Sequence, residues 1–185
     1  MSKERKITTK QIVFAAMAIA LATVIATVIK LPPLPNGGSV TLFSMLLVTM
    51  VGYWYGPFVG ISAAIGFGIL QFITGPYVVH PVQVIIDYPM AFGALGISGF
   101  FSGKKNGLLK GYVAGFLGRF FFASVSGLIF YTTYVESLQE NMVAVWASLV
   151  YNMTYILPEA LVTILLISIP AVKTALVKIK EMALS

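Results

Sequence analysis

Three ionisable side chains lie inside long apolar runs: Asp87, Arg119 and Glu159. A charge in hydrocarbon is costly, so each of them needs a partner or a purpose. A buried carboxylate such as Asp87 can accept hydrogen bonds from a donor-rich ring or face a cation. Arg119 can pair with a carboxylate, and Asn152, in a third apolar run, can both donate and accept. Tyr88, next to Asp87, offers a ring face for stacking on a planar ligand, as do Tyr131 and Tyr151. A catalytic reading finds no support in the spacing. The sequence has no phosphate-binding G-x-x-x-x-G-K-[ST], because Gly99 to Lys105 has the wrong spacing and no hydroxyl residue at the end. It also has no H-E-x-x-H and no G-x-S-x-G, so ATP hydrolysis and the common hydrolase chemistries lack their groups. No cysteine and a single histidine, His80, leave little for a metal, and no cofactor is called for.

Those residues must be held by membrane-spanning elements. The 185-residue chain is 58% hydrophobic and 10% charged, with a mean hydropathy of +0.93, which excludes an ordinary soluble domain. Its net charge of +6 comes from basic residues that flank apolar runs, a pattern of membrane anchoring rather than of nucleic-acid binding. One domain over residues 1–185 accounts for the length. Runs of about 20 apolar residues predict an all-α bundle of six transmembrane helices, at about Thr9–Ile29, Val40–Tyr53, Phe58–Thr74, Pro81–Phe101, Leu108–Tyr131 and Val143–Ile169. The second is short, and Pro158 predicts a kink in the sixth. The basic start of the chain precedes an apolar run too long for a leader peptide, so it reads as a retained first helix.

Charge orients the bundle. Lys3, Arg5, Lys6, Lys10, Lys104, Lys105, Lys110, Lys173, Lys178 and Lys180 fall on one side of a six-span arrangement and Lys30 on the other, so both termini are expected in the cytoplasm. The loops at 30–38 and 77–81, with Glu136 and Glu140, then lie outside. At 1.5 Å per residue, Asp87, Arg119 and Asn152 sit about 9, 18 and 14 Å below the outer helix ends, compatible with one outward-facing cavity. Two readings of Arg119 stay open, an ion pair with Asp87 and a place in the cavity wall; for Asp87 ligand contact is favoured. Glu159, just after Pro158, reads as an acceptor for groups freed by the kink or as a partner contact, and His80 as an interfacial loop residue. Small residues recur at four-residue spacing, as at Ala16 and Ala20, Ala18 and Ala22, Gly60, Ala64 and Gly68, Gly111 and Gly115, and Ala123 and Gly127. Such faces permit close helix packing, and the first helix in addition presents a face broad enough for a partner.

Several stretches together resemble the thiamine-specific S components of energy-coupling factor (ECF) transporters. They are Pro35 to Val40, His80 to Tyr88 with Ala91-Phe92 and Gly96 to Gly99, Gly118-Arg119 with Ser126-Gly127, and Ser148 to Tyr155. The resemblance covers most of the chain. It implies a six-helix protein of the bacterial plasma membrane that captures thiamine from outside and docks on a transmembrane coupling protein carrying two ATPase subunits. It also implies that Asp87, Tyr88 and Asn152 contact the ligand, that Arg119 lines the cavity, and that the face with Ala16 and Ala20 docks the coupling protein. The chain departs from the family at three positions. Ala123 stands in place of a histidine, Tyr131 in place of an aromatic residue that is often tryptophan, and Ala147 in place of a tyrosine. A related heterocycle, such as hydroxymethylpyrimidine or pyridoxine, is the alternative ligand. A stand-alone proton-coupled carrier and a small membrane enzyme are the alternatives from other classes.

Overall fold

The structure, a computed structural model, describes residues 7–34, 37–131 and 141–185, with residues 131, 141 and 142 described for their backbone alone. The expected calls on Pro35, Asn36, Glu136 and Glu140 lie outside the described residues. Among the described residues the secondary structure is helical, apart from a single antiparallel bridge between Lys30 and Thr41.

Among the described residues seven helices follow one another: α1 (Thr9–Val28), α2 (Ser44–Tyr55), α3 (Pro57–Thr74), α4 (Pro81–Phe101), α5 (Gly107–Tyr131), α6 (Asn141–Ser168) and α7 (Pro170–Leu184). Five of them, α1, α3, α4, α5 and α6, are long and apolar enough to cross a membrane. With its 12 residues, α2 extends only about 18 Å, short of a hydrocarbon core of about 30 Å. It starts at Ser44 rather than near Val40, because residues 39–43 turn inward and Thr41 and Ser44 are captured by a buried carboxylate. The break between α2 and α3 falls at Gly56, whose φ of 89° is the left-handed region that glycine tolerates, and Pro57 opens α3 at a position where its missing N–H costs nothing.

The apolar exterior and small-residue interior are those of a helix bundle in lipid. Met17, Val24, Phe121 and Leu165 are exposed, whereas Ala22, Ala64, Phe67 and Leu95 are buried. At the centre α4 packs against α2, α3 and α5. A methyl group on Gly96 would collide with the backbone of Gly60 and Ile61, and one on Gly68 with the carbonyl of Tyr88, so α3 and α4 meet backbone to backbone. Ser98 Oγ and Ser102 Oγ donate to the carbonyls of Thr49 (2.7 Å) and Tyr53 (2.6 Å) on α2. Interhelical bonds of this kind hold polar groups where no water can.

α4 is not a uniform helix. A first α-turn at Pro81–Ile85 widens into a π-turn at Ile86–Met90, returns to α over Ala91–Gly93 and tightens to 3-10 geometry over Ala94–Phe101. The wide turn contains Pro89, whose ring would clash with the preceding turn of a regular helix and which has no N–H to give. Asp87 and Tyr88 sit on that turn. α6, by contrast, is one helix from Asn141 to Ser168 with Pro158 inside it.

Beyond the six expected helices, a seventh and shorter one, α7, follows Ile169 and is not among those long enough to cross a membrane. Its Lys180 Nζ donates to the Ser102 carbonyl (2.8 Å), Ala183 O accepts from Tyr55 Oη (3.1 Å), and Ser185 Oγ accepts from Lys10 Nζ (3.3 Å). The start of α1, the 102–106 turn and the C-terminal helix therefore gather at one end of the bundle, and with them Lys10, Lys104, Lys105, Lys173, Lys178 and Lys180.

Candidate functional site

At the other end, where the connections α1–α2 and α3–α4 lie, the helices enclose a cavity of about 380 Å³, a volume suited to a small-molecule ligand. Asp87, Tyr88, Arg119, Tyr151 and Asn152 all line it, so the sequence-predicted groups from three different helices converge on one space. Tyr131 ends α5 at this same level, and its side chain lies outside the described residues.

The wall from α4 is built around the π-turn. Gln83, one turn before Asp87 and 3% exposed, donates through Nε2 to Asp87 Oδ2 and to the Tyr77 carbonyl (3.3 Å), and its Oε1 accepts from Val79 N (3.1 Å). Tyr88 Oη accepts from Tyr77 N (2.9 Å) and donates to the Gly75 carbonyl (3.3 Å). The same short helix thus fastens the α3–α4 loop and holds the Asp87 carboxylate. His80 caps α4, its Nδ1 accepting from Val82 N (3.2 Å), and its ring stacks on Phe130 at 5.4 Å, a positioning role consistent with an interfacial histidine.

Arg119 resolves differently from the ion pair considered above. Its Nη1 lies 4.0 Å from Glu159 Oε2, and among the described residues this is the salt bridge and no cationic side chain pairs with Asp87. Glu159, 1% exposed, also accepts from Thr41 Oγ1 (2.8 Å), Ser44 Oγ (3.0 Å) and Met45 N (3.0 Å). Its partners are therefore the start of α2 and Arg119, not groups released at Pro158. A carboxylate near the first turn of a helix is favoured by the orphan N–H groups and the dipole there. The guanidinium of Arg119 lies 4.3 Å from the ring centroid of Phe92, so the cation is compensated on one side by Glu159 and on the other by an aromatic face.

The α6 wall carries Ser148, Tyr151, Asn152 and Tyr155 at helical spacing. Asn152 Nδ2 donates to the carbonyls of Ser148 (2.9 Å) and Ala123 (3.2 Å), while its Oδ1 accepts from Tyr155 Oη. Tyr151 Oη accepts from Gly38 N (2.8 Å), tying the α1–α2 loop to α6. Gly127 on α5 admits the Ser148 side chain, where a methyl group would collide with it, and Ser148 Oγ donates to the Ser124 carbonyl (2.8 Å). The small-residue pairs of α5 therefore serve packing within the bundle.

Gln83, Phe92, Tyr155 and Gly38 fall in the stretches that carry the resemblance but were given no role there, yet each lines the cavity. Helical spacing from the residues that were singled out would have found three of them: Gln83 is four before Asp87, Phe92 four after Tyr88, and Tyr155 three after Asn152.

Chemically, the described residues of the cavity offer ring faces from Tyr88, Phe92, Tyr151 and Tyr155, a carboxylate, Asp87, with no cationic partner among them, and an arginine already neutralised. Lys30 stands exposed at its rim. Such a space suits a planar ligand that is positively charged or rich in donors.

Comparison with known proteins agrees. The solved structure of ThiT from Listeria monocytogenes superposes with a TM-score of 0.61 at 22% identity, covering 88% of this chain and 96% of that one, a likeness of fold. Thiamine transporter ThiT of Bacillus subtilis (strain 168) is 30% identical over 144 residues, 70% of this chain and 72% of its own length. The Bacillus subtilis relative carries the name of a transporter, not of an enzyme. Residues 12–179 match the family described as Thiamine transporter protein (Thia_YuaJ), and with nearly the whole chain inside that match, this membrane protein belongs to that family.

Proposed function

We propose that the protein captures thiamine from outside the cell, as the substrate-binding S component of an ECF-type importer in the bacterial plasma membrane. The observation that carries this reading is Asp87, a carboxylate held by Gln83 in an aromatic-walled cavity and without a cationic partner among the described residues. Thiamine would complete that site. Its aminopyrimidine supplies donors for the carboxylate and its thiazolium a positive charge for ring faces such as Tyr88 or Tyr151. In this reading Tyr131 is a further aromatic contact of the ligand. Asn152 acts through Tyr155 as well as directly, since its amide group is engaged by α5 and by its own helix.

The proposed topology has six spans, α1 to α6, with α7 lying along the cytoplasmic surface and both termini inside. The charge asymmetry supports this orientation, and it places the cavity mouth outward. Uptake then requires a transmembrane coupling protein and two ATPase subunits, because the chain carries no phosphate-binding loop. The docking face is the exposed stripe of α1 that contains Ala16 and Ala20.

A thermal-shift screen of B vitamins on the purified chain tests the ligand assignment. Ligand at 100 times its Kd stabilises a folded protein by about 2.7 kcal/mol, so thiamine should raise the unfolding temperature and pyridoxine, biotin and riboflavin should not. A shift with pyridoxine alone would transfer the assignment to that vitamin.

A further inference from the structure

The basic end of the bundle holds a second cavity, of about 290 Å³, between the start of α5, the end of α6 and α7. Its lining divides into two parts. Leu109, Ile167, Leu176 and Val177 form an apolar wall, and Asn106 and Lys173 stand at its polar edge. Lys173 Nζ already donates to Asn106 Oδ1 (3.1 Å), which holds the ammonium over the turn that opens α5. Among the described residues no carboxylate lines this space, in contrast to the cavity at the other end. Close by, Lys180 Nζ lies 3.7 Å from the ring centroid of Tyr53, itself part of the lining.

The position matters as much as the composition. Leu109 is in the first turn of one spanning helix and Ile167 in the last turn of another, so the cavity lies at the depth where hydrocarbon gives way to headgroups. Lys173 and Val177 are both exposed, which leaves the polar edge and the apolar wall open side by side. A free phosphate would satisfy the lysine but leave the apolar wall wet. A zwitterionic lipid would bring its own cation towards a lysine-rich surface. Basic pockets at helix ends on one face of a membrane protein attract acidic headgroups.

We propose that this cavity binds one anionic phospholipid, its phosphate on Lys173 and Asn106 and an acyl chain against Leu109, Ile167 and Val177. The lipid seats α7 against the bundle, independently of the vitamin cavity. Native mass spectrometry of the purified full chain tests this, with dioleoylphosphatidylglycerol, dioleoylphosphatidylcholine and glycerol 3-phosphate as probes. Phosphatidylglycerol should be retained and the other two released. Lys173→Gln should lower its occupancy about fivefold, the effect of roughly one lysine at a membrane surface. Val177→Trp, which fills the apolar wall while keeping the lysine, should lower it comparably. Lys105→Gln, a lysine at the same end but outside the cavity, should change it less than about twofold. Unchanged unfolding temperatures show that each variant is folded. Equal losses in Lys173→Gln and Lys105→Gln would reduce the effect to general attraction and overturn the proposal. So would retention of glycerol 3-phosphate as tightly as the lipid, or full occupancy in Val177→Trp.

Discussion

Glu159 and Asp87 are both carboxylates inside the bundle, and their surroundings give them opposite tasks. Glu159 receives three hydrogen bonds and faces Arg119, so its charge is consumed by the structure. Breaking a buried pair by removing one partner costs about 3–5 kcal/mol because the other charge is stranded. Glu159→Ala should therefore lower stability by about 3 kcal/mol, measured by denaturant unfolding in detergent, with Glu159→Gln losing less because its amide oxygen still accepts from Thr41 or Met45. Equal stability of wild type and Glu159→Ala would show that the network is idle. Sequence alone made Asp87, Arg119 and Asn152 visible because polar groups in apolar runs are rare. It did not reveal which carboxylate Arg119 would meet. That depended on residues 39–43 folding inward to bring Thr41 and Ser44 beneath α6, a long-range event with no signature in local spacing.

Among the elements, the bounds of the apolar helices were readable from hydropathy to within a few residues, since a helix in lipid needs a long apolar run and little else. Two features escaped that reading. The π-turn of α4 is set by Pro89, which follows Asp87 and Tyr88 directly, and its effect on helix width depends on neighbours such as Gly68 that let α3 approach. α7 was hidden because it does not span: Val172, Leu176, Ile179 and Ala183 recur at helical intervals among lysines, the pattern of a helix lying at an interface. The alanines of α1 divide cleanly. Ala15, Ala18, Ala22 and Ala26 are buried, while Ala16 and Ala20 are exposed beside Met17 and Val24. Ala18→Leu or Ala22→Leu should overpack the core and cost about 1–3 kcal/mol each. Ala16→Leu with Ala20→Leu should leave the unfolding temperature and ligand binding unchanged and abolish co-purification with the coupling protein. Retained co-purification would move the docking surface elsewhere.

Across the whole molecule the two ends differ in kind. One is basic and closed by α7, and the other holds a cavity whose carboxylate, Asp87, has no cationic partner among the described residues. The central claim is that this cavity recognises thiamine through Asp87. Isothermal titration of wild type and Asp87→Asn, each with thiamine and with its uncharged hydroxymethylpyrimidine fragment, tests it most directly. Wild type should bind thiamine well and the fragment more weakly. Asp87→Asn should bind thiamine at least about tenfold more weakly, a loss of about 1.4 kcal/mol that lies close to the range for a hydrogen bond to a charged group. Thiamine binding that is absent in wild type, or undiminished in Asp87→Asn, would contradict the account.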